Sequence, residues 1–127
     1  MFAKTKAFPS FSVPDMKKAK AFYGKKLGLR VKETPEGLVL ELTGGTKVFV
    51  YLSTDYRAPD HTVLNFCVDD VAAAVRALKK KGIRMEHYDL PDIKTDASGI
   101  FRGQTGPKAI AWFKDPADHI LSVLEER

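Results

Sequence analysis

Cysteine is nearly absent from this 127-residue chain: Cys67 stands alone, so no internal disulfide can form. A lone thiol fits a reducing compartment. Tryptophan is as scarce, with Trp112 the only one, and the three histidines, His61, His87 and His119, are scattered. Isolated histidines are more often surface or hydrogen-bonded residues than metal ligands, which must converge in threes or fours. No segment approaches the ~18 apolar residues of a membrane span. Residues 1–10 carry two lysines but no apolar run of signal-peptide length. The expectation is a soluble, cytoplasmic protein without a membrane partner.

What the chain has in excess is positive charge, a formal +5. Its distribution is ordinary. Lys17, Lys18, Lys20, Lys25 and Lys26 fall on one helical segment, and Lys79, Lys80 and Lys81 close another, where cations complement the helix dipole. No zinc-finger spacing or aromatic–basic RNA-binding motif accompanies them, so these lysines read as solvated helix faces and no nucleic-acid partner is expected. A chain of this length forms one domain and buries roughly 65–70% of the surface of its unfolded form.

The pattern along the chain repeats. Val13-Pro14-Asp15-Met16 ends a strand and opens a helix that runs to Leu27-Gly28-Leu29. Val68-Asp69-Asp70-Val71 does the same, and its helix runs to Lys81-Gly82-Ile83. Asp15 and Asp70 are placed to cap these helices. Asp15 to Gly28 spans 13 positions and Asp70 to Gly82 spans 12. Met16, Ala19, Tyr23 and Leu27, with Phe22 beside them, form one core-facing stripe, and Val71, Ala74, Val75 and Leu78 form the other.

Residues 8–13 read as the first strand, followed after the helix by strands over 30–34, 38–43 and 47–53. Residues 54–60 read as a linker between modules at 6–53 and 61–126. In the second module, strands are expected over 61–68, 84–90, 108–114 and 119–125, the last two joined by a tight hairpin in which Asp118 can take the left-handed conformation. Residues 91–107 hold two prolines, Gly99, Gly103 and Gly106, and read as a candidate pocket cover or a disordered connection.

The pieces Val13 to Met16, AKAFYGKKLGLRV, VDDVAAAVRALKKKGI and AWFKDPADHILSV, in this order, resemble the vicinal oxygen chelate superfamily of glyoxalases, bleomycin-resistance proteins and extradiol dioxygenases. The resemblance implies an α+β fold of two βαβββ modules with a cupped mixed sheet. It also implies a homodimer, here expected to pair through the strands beginning near Phe8 and His61, and, in the metalloenzymes, one divalent ion. The family's ligand positions fall on Phe8, seven residues before Asp15, on Val63, seven before Asp70, on Ser122, and on Tyr51 or Phe49. None of these is a normal ligand for such an ion. The resemblance therefore argues for the fold and against the chemistry, and no metal or other cofactor is expected.

Alternation then places Phe8, Ser10 and Ser12 on one face, and Val63, Asn65 and Cys67 on the corresponding face of the second module, with Ser122 and Trp112 nearby. Together with Phe49 and Tyr51 they describe an apolar, partly aromatic pocket with a few polar groups, suited to a small molecule. Taken singly, Phe8, Phe49 and Val63 are also what a packed core would show. Ser10, Ser12, Asn65 and Ser122 on an inward face favour the pocket, because buried polar groups must be paired. Cys67 reads as a buried structural thiol, and the face of Glu41, the one candidate general base, is left open. Two other readings stand beside the binding protein: a metal-dependent lyase, isomerase or dioxygenase with rearranged ligands including His61, and a dimeric interaction module with a filled cup.

Overall fold

The computed structural model describes residues 1–127, which divide into two compact units, Met1–Arg57 and Ala58–Arg127. Each is a βαβββ module with a four-stranded mixed sheet.

In the first unit β1 (Ser10–Val13) leads to Asp15, whose side chain accepts a hydrogen bond from the Lys18 amide at 3.0 Å. This caps α1 (Met16–Lys20), which continues as a wider π-helical turn over Ala21–Lys26. A π-helical turn accommodates one extra residue. That accounts for the extra position between Asp15 and Gly28 relative to Asp70 and Gly82. Strands β2 (Arg30–Thr34), β3 (Gly37–Glu41) and β4 (Lys47–Leu52) follow, in the sheet order β1-β4-β3-β2, with β1 parallel to β4 and the other pairs antiparallel.

Alternation divides the faces of this sheet. Phe11, Val13, Leu38, Leu40, Val48 and Val50 are buried, as are Ala19, Phe22 and Tyr23 on the helical segment. Tyr23 meets Phe22 edge-on at 5.1 Å and Phe11 at 5.9 Å. At the start of β3 a side chain on Gly37 would collide with the Val50 carbonyl, so only glycine lets β3 and β4 pack this closely there.

The second unit has the same order, β5-β8-β7-β6, again with its first and last strands parallel. β5 (Thr62–Cys67) precedes Asp70, which accepts from the Ala73 amide at 3.0 Å and caps α2 (Val71–Lys80). The Val71 amide donates to Glu125 Oε1 at 2.8 Å, tying the start of α2 to the last strand. β6 (Ile100–Phe101), β7 (Ala109–Lys114) and β8 (Ile120–Glu125) complete the sheet. Val71 and Val75 are buried with Ile100, Ala111, Phe113, Leu121 and Val123.

The strand expected over 84–90 does not form. Met85 makes a single bridge to Phe113, and the Glu86 amide donates to the Trp112 carbonyl at 2.8 Å. The chain then leaves β7, so the alternating pattern of this stretch finds no continuous ladder. The second strand of the module is instead the two-residue β6, inside the stretch expected to be irregular. β1 also starts at Ser10 rather than Phe8, which lies ahead of it and is 67% exposed. In the β7–β8 turn Asp118 does take the left-handed conformation, with φ 65°.

Candidate functional site

The face of each sheet opposite the buried strand residues carries the candidate site residues. In the first unit, register pairs Ser10 with Phe49, Ser12 with Tyr51 and Val39 with Phe49. Ser10 and Tyr51 are exposed, and Ser12 and Phe49 are half-buried. The Phe49 and Tyr51 rings lie nearly parallel, 16° apart with centroids at 6.0 Å. Glu41 pairs with Lys47, two residues along from Val39, so it belongs to this same face, and its carboxylate lies 3.9 Å from the exposed Arg30 guanidinium.

In the second unit, Ser122 is the centre of the corresponding face, with Asn65 on one side and Trp112 on the other. Ser122 is fully buried, and its Oγ donates to Asn65 Oδ1 at 2.5 Å. This meets the demand that a buried hydroxyl be paired. Asn65 is exposed, Trp112 is only 9% exposed, and Val63 sits half-buried where the β5–β8 register slips.

Tyr88, which alternation assigns to a strand, lies instead over Trp112. Their ring centroids are 5.3 Å apart and their planes 79°, an edge-to-face pair. Partial burial, and then the nearby Glu86 carboxylate, push the Tyr88 phenol above its usual range. The tract that holds it folds back on itself as a short finger: the Tyr88 amide donates to Thr95 Oγ1 at 2.9 Å, and the Thr95 amide returns a bond to the Tyr88 carbonyl at 3.0 Å. Below the finger, Asp96 accepts from the Ser98 and Ile100 amides at 2.9 Å and from Arg102 at 3.3 Å. The Ile100 bond chiefly holds its carboxyl below the usual range. The stretch expected to be a cover or a disordered connection is thus internally bonded. The one signal for this in the sequence is the aromatic Tyr88 ahead of a proline-containing turn.

The family resemblance assigns ligands for a divalent ion to positions that carry little donor chemistry. Phe8, Val63, Phe49, Tyr51 and Ser122 offer no imidazole, carboxylate or thiolate. His61 is well exposed and has Asp60 at 3.9 Å as its charged neighbour. No three His, Cys, Asp or Glu residues gather as a metal site would require. The residues do not fit the ion. His119 is committed elsewhere: it is fully buried in the β7–β8 turn, with Nδ1 2.8 Å from Asp115 Oδ2, while Asp115 Oδ1 accepts from the Ala117 and His119 amides.

Cys67 is exposed rather than buried, because it ends β5, an edge strand of its sheet. Desolvation first, and the neighbouring Glu126 carboxylate next, push its thiol above the ordinary value. A thiol held protonated is a poor nucleophile.

A search of curated protein sequences found no significant match. Among solved structures the fold is similar to a glyoxalase family protein from Enterococcus faecalis, at 23% identity over 98% of this chain and 100% of that one, with a TM-score of 0.70. It is also similar to the fosfomycin resistance protein FosX from Listeria monocytogenes, at 12% identity over 98% and 92%, TM-score 0.71. A third is TnmS3, an antibiotic binding protein from Streptomyces sp. CB03234, at 20% identity over 98% of both chains, TM-score 0.62. The family profile described as Glyoxalase/Bleomycin resistance protein/Dioxygenase superfamily matches residues 8–123, and with two βαβββ modules in place the chain belongs to that superfamily.

Proposed function

We propose that this protein binds a small, partly aromatic or amphipathic molecule on the open faces of its sheets, without a divalent ion at the family's position. What supports this reading is that the positions to which the family resemblance assigns ligands hold residues that do not chelate such an ion: Phe8, Phe49 or Tyr51, Val63 and Ser122. Ser10, Ser12, Asn65 and Trp112 supply the hydroxyl, amide and indole groups that would orient a ligand among apolar contacts. TnmS3, of the same fold, is an antibiotic binding protein, which is in keeping with such a role. The active form is a homodimer: Phe8, Tyr51 and Leu52 are large, exposed hydrophobic residues at the β1–β4 side of the first sheet, and an edge strand there needs a cover.

The test is to purify the protein without a histidine tag and analyse what it carries. Mass spectrometry after denaturation should release a small organic molecule, and elemental analysis should find well under about one equivalent of zinc, nickel, manganese or iron. Added metal should leave the melting temperature unchanged. Stoichiometric metal that is lost in His61→Ala would overturn the reading in favour of a metalloenzyme. Light scattering at tens of micromolar, where an interface of ordinary affinity is filled, should give twice the chain mass.

A further inference from the structure

The finger Tyr88–Thr95 is bonded to itself. The Tyr88 amide and carbonyl both engage Thr95, Leu90 and Ile93 exchange bonds at the tip, and Lys94 pairs with Asp89 at 3.8 Å on the exposed side. Its two roots are firm. One is the Glu86–Trp112 backbone bond. The other is the Asp96 turn, followed by Gly99 at φ 91°, where an added Cβ would stand 3.0 Å from Met85 Cβ. Between those roots the Tyr88 ring reaches the sheet, edge-on to Trp112. A finger closed on itself and latched by one ring pair can move as a unit without leaving its own polar groups unsatisfied.

Beneath that ring lie the groups a ligand would use. Trp112 presents an indole that Tyr88 covers, and Ser122 is buried beside it. Because Ser122 Oγ occupies Asn65 Oδ1, the exposed Asn65 side chain is left with its Nδ2 and two N–H donors that no protein oxygen takes. The surplus is of donors, so the complementary group is an acceptor.

We infer that Tyr88 is the gate of this face: the finger swings aside to admit a flat aromatic ring onto Trp112, and the Asn65 amide donates to a carbonyl or equivalent acceptor oxygen on that ring. The ligand class is a planar aromatic molecule bearing a ring carbonyl. This rests on the proposed small-molecule reading and adds to it the route of entry and the chemistry selected.

Trp112 is the sole tryptophan, so its fluorescence reports the site directly. The probes are anthraquinone sulfonate and anthracene sulfonate, which differ in the ring carbonyls. In stopped flow, wild-type quenching by anthraquinone sulfonate should level off as probe concentration rises, because opening becomes limiting. In Tyr88→Ala the rate should climb linearly and be about tenfold faster. Thr95→Val keeps the Tyr88 ring but removes the finger's internal hydroxyl bonds, and should raise the plateau severalfold; it carries the test if circular dichroism shows Tyr88→Ala unfolded. Asn65→Leu should weaken anthraquinone sulfonate about tenfold, as loss of a hydrogen bond to a ligand does, and leave anthracene sulfonate unchanged.

A linear wild-type rate equal to that of the variants would overturn the gate while leaving small-molecule binding standing. Equal weakening of both probes in Asn65→Leu would overturn the acceptor selection alone. Quenching by neither probe in any variant would overturn this inference, while release of a bound molecule in mass spectrometry would still decide the binding reading.

Discussion

The two modules share a strand order and differ in the segment that connects the helix to the next strand. In the first, Leu27 to Leu29 link the helical segment to β2; in the second, Lys81 to Gly99 separate α2 from β6. The consequence appears on the open faces. Ser10 and Tyr51 of the first sheet face solvent, while Trp112 and Ser122 of the second are covered. A repeated topology therefore fixes the frame, and in one copy the inserted finger lays Tyr88 against Trp112.

The closing turns differ as well, and this is where the comparison breaks most sharply. Asp115→Ala would remove the carboxylate that sits 2.8 Å from buried His119 and accepts from the Ala117 and His119 amides, a loss of about 3 kcal/mol in urea unfolding. In the first module the corresponding β3–β4 turn relies on Gly44 at φ 87° and Gly45 at φ 82°. Gly45→Ala should cost about 1–2 kcal/mol, the penalty of a side chain in left-handed backbone. A cost for Asp115→Ala as small as that of Gly45→Ala would mean that the buried pair is no more than a turn device.

The caps offer a finer comparison. Asp15→Ala and Asp70→Ala should each cost about 1 kcal/mol, since both side chains accept an amide at 3.0 Å. Unequal losses in thermal melts would show that the π-helical turn or the Glu125 bond to Val71 changes the value of the cap.

The smallest effect concerns pH and belongs to the second module. The Tyr88 phenol is raised in the fold, so its contribution is fully present below the unfolded tyrosine value of about 10 and is lost as pH rises through the folded one. Phenolate absorbance should show one tyrosine fewer titrating late in Tyr88→Phe, and that variant should lose less stability than the wild type in alkali.

The frame is legible in the sequence because capped, amphipathic helices repeat a strong signal: aspartate, then a 3.6-residue stripe, then glycine. The one-residue mismatch between the repeats also has a structural meaning, in the π-helical turn over Ala21–Lys26. The site is less legible. Arg84 to Leu90 alternate like a strand, but strand formation depends on a partner that periodicity does not reveal, and only isolated bridges form, Met85 to Phe113 and Asp89 to Lys94. The same ambiguity hides Tyr88. The apolar neighbours of Cys67 suggest burial; its place at the end of an edge strand comes from the sheet order, which no local pattern encodes. The turn between β7 and β8 is visible in the sequence, but not the closure of Asp115 and His119 on each other within it.

Parallel pairing of the first strand with the last, β1 with β4 and β5 with β8, makes each module a loop closed by its final segment. On the ribosome, residues 1–52 emerge with every strand of the first sheet before β5 has been made. The second sheet, whose ends lie further apart along the chain, must hold β5 unpaired until β8 has been made. Closing the longer loop costs more entropy and delays its reward. Synthesis thus imposes an order of assembly on the duplicated parts, with the module that carries the finger the last to close.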